Sequence, residues 1–257
     1  MTIQSVQKAL DILSLFNVAQ PQLGLVDISR LMDLPKTTIH GLVQTLANQR
    51  FLHQDPETKR YTLGLRLYEL GTLLPGTLKI NQVGVELVQR LSIHTGLVAR
   101  IAIWDNQSIL ITQNLFPTSE YFPYQQLGPR VPAYCTSLGK AVLSTLIKTE
   151  LDSYLSTTKL AKFTTKTITN KRQLHQELKI SQQNGFAVES EEMYIGLSCL
   201  AIPIFDRSRK AIGAVSLSGR PDILAEDNLA ITLPELKDAG MELSRRLGFL
   251  SEAMVAF

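Results

Sequence analysis

The sequence predicts two domains of different class: an all-α winged helix-turn-helix unit over residues 1–64 and an α+β domain over 81–257, with a linker helix over 65–80 between them. Three observations lead there. A chain of 257 residues is long for one domain and suits two. Its first fifty residues carry apolar side chains at helical spacing in three short runs separated by turn residues. Beyond residue 95, strand-like apolar runs alternate with amphipathic helical stretches.

Composition narrows the class without naming a function. Hydrophobic residues make up 44% of the chain, enough for a buried core and against global disorder. No apolar run approaches the ~20 residues that a membrane helix needs. The opening Met1-Thr2-Ile3-Gln4-Ser5 lacks the basic-then-apolar plan of a secretory signal, so a cytoplasmic protein with no membrane partner is expected. Cys135 and Cys199 lie far apart, and His40, His53, His94 and His175 show no ligand spacing. No disulfide framework, metal centre or cofactor is therefore expected. A net charge of +3 is compatible with binding nucleic acid but does not demand it.

The elements of the first domain follow in order. Ser5 precedes Val6, Ala9, Leu10, Leu13 and Phe16, an amphipathic helix after a plausible cap. Gln20-Pro21-Gln22-Leu23-Gly24 breaks the chain, and a short helix over 26–32 places Ile28 and Leu31 inward. Asp33-Leu34-Pro35 turns into a third helix over 36–49. Its core stripe is Ile39, Leu42, Val43 and Leu46. The opposite face carries Thr37, Gly41, Gln44 and Asn48, with His40 and Thr45 at its margins. Short uncharged donors and acceptors suit base edges in a major groove, and Lys36 at the helix start suits a phosphate. Two short extended pieces around Asp55-Pro56-Glu57-Thr58-Lys59 read as a hairpin wing. Its Lys59 and Arg60 either meet the DNA backbone or are ordinary solvated loop charges. Residues 1–66 hold seven Lys/Arg against five Asp/Glu, a net +2 that is modest for a DNA binder.

The second domain begins after a helical stretch that ends near Pro75-Gly76. A helix over 83–94 leads into an alternating strand, Leu97 to Trp104, and Asp105-Asn106 supplies a hairpin turn before the strand 108–115. Helices are expected over 136–146 and 171–184, the latter stopped by Gly185. Apolar strands over 199–205 and 211–218 flank a polar connector, and a last helix over 234–247 has Pro234 near its start.

Catalytic motifs are weak throughout. Tyr134–Lys140 resembles a phosphate loop only in Gly139-Lys140, with Tyr134 where the first glycine belongs and Ala141 in place of Ser/Thr. No Gly-x-Ser-x-Gly elbow surrounds Ser198, Ser216 or Ser218. Glu189, Glu191 and Glu192 admit acid/base chemistry but are more often a solvated loop or a pocket rim. Ser216 and Ser218 share a sheet face, and Cys199 starts the other apolar strand. These hydroxyls and the thiol fit either a pocket floor with a few polar contacts or small buried residues bonded to nearby backbone.

At this point the residues resemble a family over nearly the whole chain, the IclR-type bacterial transcription regulators. Ser5-Val6-Gln7-Lys8-Ala9-Leu10-Asp11-Ile12-Leu13 resembles its opening helix, and Leu34-Pro35-Lys36-Thr37-Thr38-Ile39-His40 its turn and recognition-helix start. Tyr61-Thr62-Leu63-Gly64 resembles the wing exit, and Thr136-Ser137-Leu138-Gly139-Lys140-Ala141 the family's T-A-x-G-K-A. Glu191-Glu192, the segment from Gly196 to Asp206, Ser216-Leu217-Ser218-Gly219 and Ser244-Arg245-Arg246-Leu247-Gly248 complete the pattern.

The resemblance implies a GAF-like effector-binding domain, a homodimer or dimer of dimers, and a palindromic double-stranded operator. It also implies a small organic effector, a carboxylate or aromatic catabolite, controlling a catabolic or metabolic operon as repressor or activator. Carried over by position, DNA contacts fall to Lys36, Thr37, Thr38, His40, Gly41, Gln44, Lys59 and Arg60. The effector site falls to Ser137, Leu138, Glu189, Leu197, Cys199, Ser216 and Ser218. Gly41 departs from the pattern, which has arginine after the histidine. Glycine inside a helix costs up to about 1 kcal/mol against alanine and removes a contact. Two rivals stay open: a small-molecule-sensing adaptor that binds a protein instead of DNA, and an enzyme, for which no complete catalytic set is present.

Overall fold

A computed structural model describes residues 2–118 and 129–250, in two compact units that meet between Gly76 and Thr77. The parts of the expected domains that fall on residues 1, 119–128 and 251–257 lie outside the described residues.

The first unit runs α1 (Gln4–Ser14), α2 (Leu25–Met32), α3 (Lys36–Asn48), β1 (Leu52–Gln54), β2 (Tyr61–Leu63) and α4 (Leu65–Thr77). One core gathers Ile12 and Phe16 from around α1, Ile28 from α2, Ile39, Val43 and Leu46 from α3, and Leu52 and Tyr61 from the wing strands. Asp33 ends α2 in the left-handed region at φ 50°, and its N–H bonds the carbonyls of Ser29 and Arg30. The Ser29 hydroxyl donates to Leu34 O at 2.6 Å, fixing the turn into α3. Leu23 pairs with Tyr61 through two backbone bonds, adding a short third rung to the wing. Gly64 lies against the Arg50 carbonyl, where a Cβ would come within 2.1 Å of that oxygen.

Three local expectations fail here. Ser5 is inside α1, whose N-cap is Ile3 with no side-chain bond. Val6 and Leu10 are exposed, because the inward side of α1 runs through Ala9, Ile12 and Leu13 toward Phe16 just past its end. Leu31 is also exposed, since eight-residue α2 turns only the Ile28 side fully inward.

The second unit is a six-stranded antiparallel sheet in the order β5-β4-β3-β8-β7-β6. Its strands are β3 (Val98–Asp105), β4 (Ser108–Leu115), β5 (Arg130–Val131), β6 (Ala187–Ser190), β7 (Ser198–Phe205) and β8 (Ala211–Gly219). The helices are α5 (Lys79–Thr95), α6 (Ser137–Leu143), α7 (Lys148–Thr157), α8 (Lys171–Asn184) and α9 (Glu226–Arg246). Asn106 and Gln107, both at positive φ, make the two-residue β3–β4 turn. Helix α9 starts eight residues before the expected 234 and carries Pro234 in its interior, so the proline does not mark the N-terminus. Helix α7 and strands β5 and β6 were not foreseen.

Each face of the sheet has its own core. Leu200, Ile202, Ile204, Val215 and Leu217 pack with Ile101 against α5 and α9. On the other face Ala102, Ala187, Ala201 and Ala214 meet α6, α7 and α8.

Candidate DNA-contact surface and effector cavity

Helix α3 buries Ile39, Val43 and Leu46 and presents Lys36, Thr37, Thr38, His40, Gly41, Gln44, Thr45 and Asn48 to solvent. The sequence-derived stripe is therefore one exposed face. Gln44 Nε2 donates to Asn48 Oδ1 at 3.4 Å, and the Thr45 hydroxyl donates to Gly41 O at 2.8 Å. Nothing stands within 4 Å of where a Cβ of Gly41 would project.

The two wing residues differ. Lys59 is exposed at positive φ (56°) at the hairpin tip, next to Asp55, whose carboxylate accepts the Glu57 and Thr58 N–H groups. Those bonds, chiefly the one from Thr58, hold the Asp55 carboxyl below its ordinary value. Arg60 turns back instead: its Nη2 donates to Asp27 Oδ2 and to Gln22 O, each at 3.1 Å. Asp27 also accepts the Gly24 N–H at 3.0 Å, so Arg60 is tied to the start of α2.

In the second unit, antiparallel pairing lines up two rungs on the face toward α6. Ala187, Ala201, Ser216, Arg100 and Asn114 form one, across β6, β7, β8, β3 and β4. Glu189, Cys199, Ser218 and Val98 form the next. Opposite positions on the other face hold Val188, Leu200, Leu217 and Ala99. Small side chains on the α6 face leave space that the aliphatic face does not.

That space is a cavity with a mainly apolar wall carrying a few polar groups, small as the side chains stand at about 20 Å³. All seven residues expected at the effector site line it: Ser137, Leu138, Glu189, Leu197, Cys199, Ser216 and Ser218. Arg100, Ile111, Val131, Thr136, Met193 and Tyr194 complete the wall. A groove of about 680 Å³ along Thr95–Val98 and Gly219–Ile223 shares Ser218 and opens toward solvent.

Arg100 is the residue the sequence reading missed. It is 1% exposed; its Nε donates to Asn114 Oδ1 at 2.9 Å and its Nη1 to Ser218 Oγ at 2.6 Å. Ser218 Oγ in turn reaches Cys199 Sγ at 3.1 Å. Burial draws the guanidinium below its ordinary value, and burial likewise pushes the Cys199 thiol up to about 12, leaving it neutral. The signal was available, since Val98-Ala99-Arg100-Ile101-Ala102-Ile103 sets one charge inside a strand apolar on both faces.

The acidic stretch is not a solvated loop. Glu189 sits in β6 at 2% exposure, and its Oε1 accepts the N–H of Glu192 at 2.5 Å and of Met193 at 3.3 Å. Burial pushes its carboxyl up to about 7 against the pull of those two bonds. Glu192, also buried, pairs with Lys140, which is itself 0% exposed. Glu191 pairs with Lys166 and accepts the Gly196 N–H at 2.8 Å, closing the loop over the cavity.

The Thr136–Ala141 motif takes its meaning from this arrangement. Thr136 caps α6 by accepting the Gly139 N–H at 3.2 Å, and Ser137 and Leu138 face the cavity. Gly139 lies so close to Ala133 that a Cβ would come within 2.2 Å of its backbone. Lys140 is an ion-pair partner rather than a phosphate ligand. Among the described residues no group of three His, Cys, Asp or Glu is placed to hold a metal ion.

A helix-turn-helix with an open polar face on α3, in one chain with a small cavity between a sheet and a helix, defines a class: transcription regulators with a separate ligand domain. The comparisons name the family. The IclR helix-turn-helix domain matches residues 5–56, and the C-terminal domain of the bacterial transcriptional regulator IclR matches residues 76–245. The chain belongs to the IclR family of bacterial transcription regulators. It is 33% identical over 247 residues to the HTH-type transcriptional regulator XynR of Escherichia coli K12, spanning 96% of this chain and 98% of that protein. The crystal structure of Thermotoga maritima IclR superposes with a TM-score of 0.73 at 26% identity, over 96% of this chain and all of that one. An IclR homologue of Microbacterium hydrocarbonoxydans, crystallised with 4-hydroxybenzoate, shares the fold with a TM-score of 0.77 at 21% identity, over 95% of this chain and 99% of that one. The relatives are named as regulators of transcription and not as enzymes.

Proposed function

We propose that this chain is a ligand-responsive regulator that binds a palindromic operator as a homodimer and changes its grip when a small organic effector enters the cavity. The observation that carries the reading is the cavity itself. Seven positions spread over α6, β6, β7, β8 and the loop before β7 converge on one small cavity in a chain that also carries a DNA-binding unit.

On the DNA side, α3 enters the major groove. Thr37, Thr38, His40 and Gln44 read base edges, and Lys36 and Lys59 meet phosphates. Gly41 allows close backbone approach. Arg60 supports the wing from inside, through Asp27, more than it touches DNA.

Dimer formation has a surface to use. Helix α4 buries none of its residues, and Leu65, Tyr68, Leu73 and Leu74 are each more than half exposed. Ile3, just before α1, and Val6 and Leu10 within it are exposed as well. Apolar stripes of this kind are covered most economically by a second copy, which also supplies the two-fold symmetry that a palindrome requires. The cytoplasm is the compartment this function needs.

Effector binding matters only if the two DNA-binding arrangements hold it with different affinity. A mobility-shift titration against the DNA flanking the gene, at two salt concentrations and with and without small carboxylates and phenols, tests the reading. Expected is a competitor-resistant shift that weakens at higher salt and moves with at least one compound. Absence of any specific shift would transfer the reading to the adaptor alternative.

A further inference from the structure

We propose that the outward face of α8 is a second DNA-contacting surface, which binds the phosphate backbone of duplex DNA without reading its sequence. The inference rests on the reading of the chain as a DNA-binding regulator and goes beyond it by placing phosphate contacts outside the helix-turn-helix.

The positive charge of the chain is concentrated in one segment. Residues 159–182 hold six of its 26 Lys/Arg and one of its 23 Asp/Glu, so the remaining residues together are net −2. The DNA-binding unit does not make up the difference. Of its seven Lys/Arg, Arg30, Arg50, Arg60 and Arg66 each pair with a carboxylate of the same unit, Asp27 or Glu69. Lys8, Lys36 and Lys59 are left for phosphates, a short supply for binding that draws on the release of condensed counterions.

Helical geometry gathers the charge of α8 on one side. The helix buries Leu174, Leu178 and Ser181. At 3.6 residues per turn the opposite face runs through Arg172, Gln176, Lys179 and Gln183, with Lys171 and His175 beside it, and all six are exposed. The one carboxylate of the helix, Glu177, lies on its flank, 3.7 Å from the Nζ of buried Lys140. The other long helices of the unit are mixed in charge: α5 exposes Glu86, α7 exposes Glu150 and Asp152, and α9 exposes Asp227 and Asp238. Cations interleaved with amide side chains, and no carboxylate among them, suit a row of phosphates, which accept charge-assisted bonds from Lys and Arg and neutral ones from Gln. A protein partner fits less well. The centre of the face has no apolar side chain of the kind that anchors such interfaces, and exposed Ile180 lies to one side of it.

The test is fluorescence anisotropy of the full chain with a random-sequence duplex of about 40 bp, at about 50 and 200 mM KCl. The variant Lys171→Gln/Arg172→Gln/Lys179→Gln is compared with Lys148→Gln/Arg207→Gln/Lys210→Gln, which removes the same charge from other exposed positions of the second unit. Between the two salt concentrations, wild type and control are expected to lose about fortyfold more affinity than the α8 variant, the scale of three phosphate contacts. Circular dichroism checks that each variant folds. If the triple variant does not, Lys179→Gln alone is expected to reduce the salt-induced loss about threefold. An α8 variant with the wild-type salt dependence overturns the inference and gives the face to a protein partner or to water. Equal effects of the two triple variants overturn it too, since net charge alone would then be at work. Mobility shifts with the DNA flanking the gene keep the two readings apart. An operator-specific shift whose salt dependence the α8 variant leaves unchanged upholds the regulator and defeats the role of α8. A wild-type chain that binds no duplex even at the lower salt defeats both.

Discussion

The two faces of the central sheet are built from the same strands by opposite rules. Toward α5 and α9, β7 and β8 point Leu200, Ile202, Ile204, Val215 and Leu217 into a dense aliphatic core. Toward α6, the alternate positions are Cys199, Ala201, Ala214, Ser216 and Ser218, with Arg100 rising between them. Because side chains alternate at every residue, one strand can carry a stability face and a chemistry face without compromise in either. The family places an effector-binding domain in this half of the chain; the alternation separates its aliphatic face from its small-residue face.

The sharpest way to break that comparison is to cut each face at neighbouring residues of β8. Leu217, fully buried, is expected to cost about 2–5 kcal/mol on truncation to alanine, through lost transfer energy and the cavity left behind. Ser216→Ala, one residue away on the other face, removes a single hydroxyl and is expected to cost no more than about 1 kcal/mol. Urea denaturation followed by circular dichroism compares them directly. Equal losses would mean that the small-residue face bears as much of the fold as the aliphatic one.

A second division lies within the polar face, between its neutral and its titrating members. Glu189 ionises near 4.5 in an unfolded chain but near 7 in the fold. Between those values folding takes up a proton, so this residue makes the protein less stable as pH rises from about 4.5 to 7, with no further change above. The full effect is up to ~3 kcal/mol, and Glu189→Gln is expected to flatten that part of the pH–stability curve. A wild-type curve whose slope in this window survives the substitution would place the titrating group elsewhere.

What was legible in the sequence follows the same lines. Periodicity marked the core of α3 and the shared face of Ser216 and Ser218, because both depend on spacing along one element. The seven pocket positions came from motif resemblance and converge in space. Arg100 was hidden in an alternating strand, since its meaning comes from Asn114 and Ser218 on two other strands. Glu189 and Glu192 read as a solvated loop or a pocket rim, because the spacing shows neither the local fold that turns the Glu192 and Met193 amides onto Glu189 nor Lys140, which tertiary structure brings to Glu192. Val6 and Leu10 read as core because an apolar stripe does not say whether its cover is the same chain or another.

The DNA-binding unit repeats the contrast in its glycines. At Gly64 an added methyl would strike the Arg50 carbonyl at 2.1 Å, so Gly64→Ala is expected to cost about 1–3 kcal/mol as the wing exit is forced off the helix end. Near-wild-type stability there, in a thermal melt, would show that the approach relaxes freely.

Gly41 is the opposite case and the smallest expected effect. Open space surrounds it, and the backbone is ordinary α-helix, so Gly41→Ala is expected to stabilise the unit by up to ~1 kcal/mol. What happens to operator affinity then decides why a glycine is there. If the methyl leaves affinity unchanged, Gly41 is simply a missing contact, and Gly41→Arg is expected to tighten binding with a steeper salt dependence. If the methyl weakens binding of a chain it has stabilised, the helix backbone must approach the groove more closely than any side chain at this position would allow. In that case Gly41→Arg weakens binding further, and the face of α3 is shaped for an operator that an arginine at this position would not read.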